Sequence, residues 1–204
     1  MFSHWYGTPP LLPTELHLLR DLEARLQAHA QTFMALSHFY PSAATDLDLV
    51  IIKPHGIFVA EIVWSHELIR PYDEDHWRLG VHEPPRLLPS PFPPLRRKYW
   101  EMKEWLRRNG STICGRRDRA AVMNWRGARS FVVVYPRMPP GSIAPVDQYT
   151  RVLGFDMWLE EVVYRHQHGL DLTRDELARI PRLLGLHNAA APRLRGESAA
   201  MAAW

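Results

Sequence analysis

The stretch Asp46-Leu-Asp-Leu-Val-Ile-Ile-Lys-Pro-His-Gly-Ile-Phe-Val-Ala-Glu-Ile-Val-Trp64 decides the fold. It reads as two short strands, 46–53 and 57–64, with Pro54-His55-Gly56 as turn punctuation between them. Both strands are rich in Val, Ile and Phe, the composition of strands at the centre of a sheet. Asp48 stands near the start of the first strand and Glu61 near the end of the second. In an antiparallel hairpin those positions lie at the same end, so the two carboxylates can converge. Carboxylates that converge in this way suit a hard divalent cation. Side chains alternate along a strand, so Ile57, Val59, Glu61 and Val63 share one face. Lys53 is an odd number of residues from Asp48 and points to the other face.

The stretch resembles the core of the nuclease-related domain (NERD) family, a branch of the PD-(D/E)xK restriction-endonuclease-like nucleases. The matching residues are Asp46-Leu47-Asp48, the turn Pro54-His55-Gly56, and Glu61-Ile62-Val63. The family's motif lysine falls on Val63, and its Asn-Pro-x-x-Gln segment falls on Ser90-Pro91-Phe92-Pro93-Pro94, so that Pro94 stands where the glutamine would be. The resemblance spans about Thr14 to Leu186. It implies an α/β (α+β) fold with a restriction-endonuclease-like three-layer core, a central mixed sheet flanked by helices. It also implies a site in which Asp48, Glu61 and the carbonyl of Ile62 hold Mg²⁺ or Mn²⁺, with Glu15 on the first helix as a further metal ligand. Lys98, one helical turn after Pro94, is the candidate for the missing lysine, because the wider superfamily recruits lysines from that helix. With Val63 and Pro94 in place of the lysine and glutamine, metal-dependent phosphodiester hydrolysis is expected to be weak or lost.

Length and composition agree with a single domain. The chain has 204 residues, 46% hydrophobic and 23% charged, enough for one full core over residues 14–186 with a tail or linker stub over 187–204. No apolar run is long enough to span a bilayer, Met1 to Pro13 lacks the basic start and apolar block expected of a signal peptide, and the lone Cys114 excludes a disulfide framework. The expected location is the cytoplasm, with no membrane partner.

Charge is unevenly placed. The net +3 divides into −5 over residues 1–90, +8 over 91–129 and zero over 130–204. A basic block directly after the candidate site is the footprint expected of a phosphate-contacting surface. Its arginines, Arg96, Arg97, Arg107, Arg108, Arg116, Arg117 and Arg119, are the candidate nucleic-acid contacts, DNA being the expected partner. Partner proteins of DNA-processing or defence systems would fit the same resemblance.

The remaining segments carry structure. Leu18, Leu22 and Leu26 mark an amphipathic helix capped at Thr14, and 32–40 reads as a strand. Segments 68–72 and 77–81 form a small hairpin around the solvated tip Asp73-Glu74-Asp75. Proline-rich 83–94 is an extended connection to a helix over 95–109, closed by Gly110. Residues 129–135 form a buried strand and 149–153 another. Asp156 caps a helix running to about His166, and Thr173-Arg-Asp-Glu176 is a capping box opening a last helix that Pro181 should kink or split. His166-x-His168 reads as a surface pair, Ser65-His66-Glu67 as no triad, and Cys114 as structural. Glu61 needs a partner for its charge. A metal would satisfy it, and so would a salt bridge to Lys98 or an arginine of the same helix. Two further readings therefore stand beside the nuclease: a catalytically inactive DNA-binding or partner-recognition module, and a protein-interaction scaffold without nucleic acid.

Overall fold

The computed structural model describes residues 1–7, 12–42, 45–115, 129–145, 147–167 and 170–189. The quoted stretch forms β3 (Thr45–Lys53) and β4 (Gly56–Trp64), paired antiparallel from Lys53↔Gly56 to Leu49↔Ala60. Before them come β1 (Phe2–Tyr6), α1 (Pro13–Gln27) and β2 (Phe33–Ser42). After them come β5 (Ile69–Pro71), β6 (His76–Leu79), β7 (Arg86–Pro89), α2 (Phe92–Cys114), β8 (Arg129–Tyr135) and β9 (Thr150–Gly154). Two helices, α3 (Phe155–Tyr164) and α4 (Arg174–Leu183), and the short β10 (His187–Asn188) complete the chain's described elements.

Seven strands form one mixed sheet in the order β10-β1-β2-β3-β4-β8-β9. The β2–β3–β4 meander is antiparallel, while β8 and β9 run parallel to β4. The parallel step from β4 to β8 needs a crossover, and α2 lies in it. The sheet is covered on both sides, which explains why its central strands are continuously apolar. Val50, Ile52, Ile57, Val59 and Val63 pack with Leu95, Met102 and Leu106 of α2 and with Leu177 and Ile180 of α4. Leu49, Ile51, Phe58 and Ala60 pack on the other side, with Leu18, Leu22 and Leu26 of α1 and Trp158 and Val162 of α3. The expected three-layer mixed α/β core is therefore the observed one.

Several boundaries differ from expectation. Pro13, not Thr14, opens α1: it takes the first helical position, and Leu12 is the N-cap. Helix α2 continues through Gly110, because Ile113 and Cys114 extend its buried stripe, and closes at Gly115 with φ of 64°. Gly154 rather than Asp156 is the N-cap of α3, and Asp156 instead pairs with Arg25 at 2.8 Å. Pro181 does not split α4, since it falls in the last turn, where Leu184 N–H donates to Ile180 and Leu186 N–H to Pro181. The Thr173–Glu176 capping box forms as expected, with Glu176 accepting from the Thr173 N–H at 2.8 Å.

Part of the proline-rich connection becomes β7, the third strand of the small sheet β5-β6-β7. Residues 187–188, expected in a loose tail, pair with Trp5 and Tyr6 of β1. The remainder of that tail, from 190, lies outside the described residues. Among the described residues no helix is long and apolar enough to cross a membrane.

Candidate active site

The hairpin ladder ends at Leu49↔Ala60, and the next position on each strand is an acid, Asp48 on β3 and Glu61 on β4. Alternation puts Glu61 on the face of Val59 and Val63, the face that α2 covers. Helix α2 buries Leu95, Met102, Trp105 and Leu106. Lys98 lies three residues after Leu95 and four before Met102, so helical spacing places it on the same buried stripe. Its ammonium ends between the two acids: Nζ donates to Asp48 Oδ1 at 3.1 Å and to Glu61 Oε2 at 2.6 Å. The Lys98 side chain is 12% exposed, Glu61 19% and Asp48 30%.

Burial, and then the charge of Asp48, pushes the Glu61 carboxyl up to about 7, against the pull of the Lys98 ammonium. For Lys98 burial works in the opposite direction, but the two carboxylates outweigh it and hold the ammonium above its ordinary value. The three groups thus form one electrostatic unit, with the lysine held as a cation between two carboxyls, one of them raised by burial and by its neighbour's charge.

Asp48 also lines a cleft of about 330 Å³, shared with Glu15, His38, Asp46, Ile62 and Trp64. Glu15 comes from the first turn of α1, where its Oε2 accepts from the Leu12 N–H at 3.1 Å and lies 3.7 Å from His38 Nε2. His38 has φ of 47° within β2, a left-handed backbone uncommon for a non-glycine residue. Asp46 Oδ1 is buried without a hydrogen-bond partner among the described residues. Burial and the neighbouring Asp48 charge raise its carboxyl above the usual range. His38 and Asp46 were not singled out by the sequence as site residues, although Asp46 stands within the quoted motif. A strand histidine with positive φ leaves no local sequence signal.

Asp48 and Glu61 offer two anionic oxygens from adjacent strands, the donor chemistry that Mg²⁺ or Mn²⁺ takes. Among the described residues no three His, Cys, Asp or Glu side chains close into a metal-ligand group. A dication on Asp48 and Glu61 would require Lys98 to step aside to its flank, since both acids now share the ammonium. Val63, where the motif lysine would stand, is 7% exposed and part of the core facing α2. Pro94 lies in the first turn of that helix.

The candidate nucleic-acid residues of α2 have separate surroundings. Arg96 donates to Asp147 at 2.6 Å and lies 5.4 Å from the Tyr149 ring centroid. Arg107 donates to Glu104 at 2.7 and 2.8 Å, and Arg108 stands 3.7 Å from the same carboxylate. Arg97 is exposed. Arg116, Arg117 and Arg119 lie outside the described residues, as does His168. His166 is exposed, 5.4 Å from the His55 ring, and Cys114 is buried. Ser65 Oγ donates to the Glu67 backbone carbonyl, so the Ser-His-Glu run forms a local turn. The acidic tip 73–75 is exposed, with Asp73 accepting from the Asp75 N–H at 2.9 Å.

Comparison with protein-family models, with curated proteins and with solved structures returned no match for this chain.

Proposed function

We propose that this chain is a nucleic-acid-acting domain of the nuclease-related kind, a slow metal-dependent phosphodiesterase in which Lys98 does the work of the lysine missing at Val63. The observation that carries the reading is the Lys98 ammonium, 3.1 Å from Asp48 and 2.6 Å from Glu61. A helix lysine delivered to two paired strand carboxylates replaces the charge that Val63 cannot supply.

Asp48 and Glu61 would hold Mg²⁺ or Mn²⁺, and Glu15 lines the same cleft. A bound dication supplies activation of water and neutralisation of phosphate charge. The chain's own groups do the rest. Lys98, kept cationic by its two acids, orients the attacking water and offsets charge developing on the phosphate. Asp46, lining the same cleft, adds negative potential that favours a cation over a bare phosphate. DNA in the cytoplasm is the proposed substrate, and the arginines of α2 and of the following segment are the proposed phosphate contacts.

A specific feature favours a second reading. Both carboxylates already have a cation partner in Lys98, so the site is satisfied without a metal. In that case the chain is an inactive recognition module whose former metal site has become a salt bridge. Cleavage of end-labelled single- and double-stranded DNA with Mg²⁺ or Mn²⁺ separates the two. The proposal expects slow cleavage by wild type that falls at least about 10²-fold in Asp48→Ala and in Glu61→Gln. No cleavage by wild type with either metal would favour the recognition module.

A further inference from the structure

The outward face of α2 pairs an exposed indole with cations. Trp100 stands about half a turn around the helix from Lys98, so it points away from the sheet while Lys98 points into it. It is 55% exposed, although tryptophan is among the side chains with most to gain from burial. Lys103 Nζ lies 4.3 Å from its ring centroid, and Tyr99 meets it edge-on at 5.7 Å. Arg96, Trp100, Lys103 and Arg107 recur at spacings of four, three and four, which makes one continuous stripe along the helix. Arg96 and Arg107 are engaged by Asp147 and Glu104, whereas Arg97 and Lys103 make no ion pair among the described residues. The Arg107–Glu104 pair is solvent-exposed, a kind of bridge a phosphate can displace at little cost.

We infer that this stripe binds single-stranded nucleic acid, with a base stacked on Trp100 and the phosphates on Arg97, Lys103 and Arg107. The inference rests on the reading that the chain acts on nucleic acid, but not on its cleaving it. The positive charge of the face calls for a polyanion. The exposed indole selects among polyanions, because it rewards a ligand with free aromatic faces. A single strand presents them, whereas paired bases in a duplex keep theirs stacked on one another. The ring is pre-positioned for this role, with Lys103 and Tyr99 restricting the rotamers it would otherwise lose on binding.

The test is fluorescence anisotropy in EDTA, with three labelled probes of about 20 nucleotides: a single strand, its duplex, and a strand of abasic sites. Wild type should bind the single strand at least about tenfold tighter than the duplex. Trp100→Ala should lose about tenfold on the single strand and almost nothing on the abasic strand, and Trp100→Phe should recover part of the loss. The Arg97→Gln/Lys103→Gln double variant should weaken all three and lower the salt slope by about 1–2. Thermal unfolding of the Trp100 variants should match wild type, since the side chain is exposed. Equal affinity for single strand and duplex, an equal loss on the abasic strand in Trp100→Ala, or no binding at all would each overturn the inference. Because binding is read without metal, failure to cleave DNA leaves it standing. Cleavage of DNA that is indifferent to Trp100 would overturn it while sparing the proposed activity.

Discussion

Two of the three lysines of this chain are mostly buried against the same sheet, on opposite faces and with opposite consequences. Lys53, at the end of β3, is 1% exposed on the side of α1 and α3. Its Nζ donates to the Val163 carbonyl at 2.8 Å and lies 5.8 Å from the Phe58 ring, with no carboxylate partner among the described residues. Burial there lowers its value to about 8. Lys98, on the side of α2, is slightly more exposed, yet its two acids hold it above the ordinary lysine value. Lys53 pegs α3 to the hairpin, and burial there works against its charge. Lys98 keeps its charge and delivers it to Asp48 and Glu61. The difference lies in the partner: an ammonium facing one carbonyl has its value lowered by burial, and an ammonium between two acids keeps its charge.

Removing each charge in turn separates the two lysines. Lys98→Met should reduce cleavage by about 10²–10⁴-fold. It should also destabilise the fold by about 1–2 kcal/mol, because two carboxylates are then left facing each other in a partly solvated pocket. Lys53→Met should leave cleavage within about twofold of wild type. Its effect on stability should have the opposite sign, a gain of about 1–2 kcal/mol at pH 7 in urea melts. A buried ammonium held near 8 is a cost, of which the lost Val163 hydrogen bond offsets only part.

The smallest effect lies in the pH dependence. The unfolded chain keeps the Lys53 proton up to about 10.5, while the folded chain gives it up near 8. Between those values the unfolded state binds more protons, so wild-type stability rises with pH across that window. The advantage of Lys53→Met should therefore shrink between pH 8 and 10.5. A difference that stays constant across the window would show that Lys53 is not the group responsible.

Much of this arrangement is legible in the sequence, for physical reasons. The hairpin can be read because a buried antiparallel pair needs a continuous apolar run on either side of a short turn, and because antiparallel geometry brings Asp48 and Glu61 to one end. Lys53 separates from the site by parity alone. The inward direction of Lys98 is legible in its helical phase with Leu95 and Met102. Other features depend on contacts distant in sequence. The β1–β10 pairing joins opposite ends of the chain, and two-residue strands carry no period of their own. β7 hides among prolines, because pairing with β6 uses only its backbone. Gly110 reads as a helix end when considered locally, but Ile113 and Cys114 find a core beyond it. The cleft residues His38 and Asp46 come together only through the β2–β3 register and its irregularity after Phe39.

If Lys98 supplies the charge that Val63 lacks, a lysine should be exchangeable between the two positions. The most direct measurement compares DNA cleavage with Mg²⁺ or Mn²⁺ by wild type, Lys98→Met and the Lys98→Met/Val63→Lys double variant. Val63 shares the face of Glu61 on β4, so a lysine there would reach the same carboxylates from the motif position. Cleavage by wild type, its loss in Lys98→Met and partial recovery in the double variant are the expected results. Cleavage undiminished in Lys98→Met would contradict them, because the ammonium between Asp48 and Glu61 would then have no part in the chemistry.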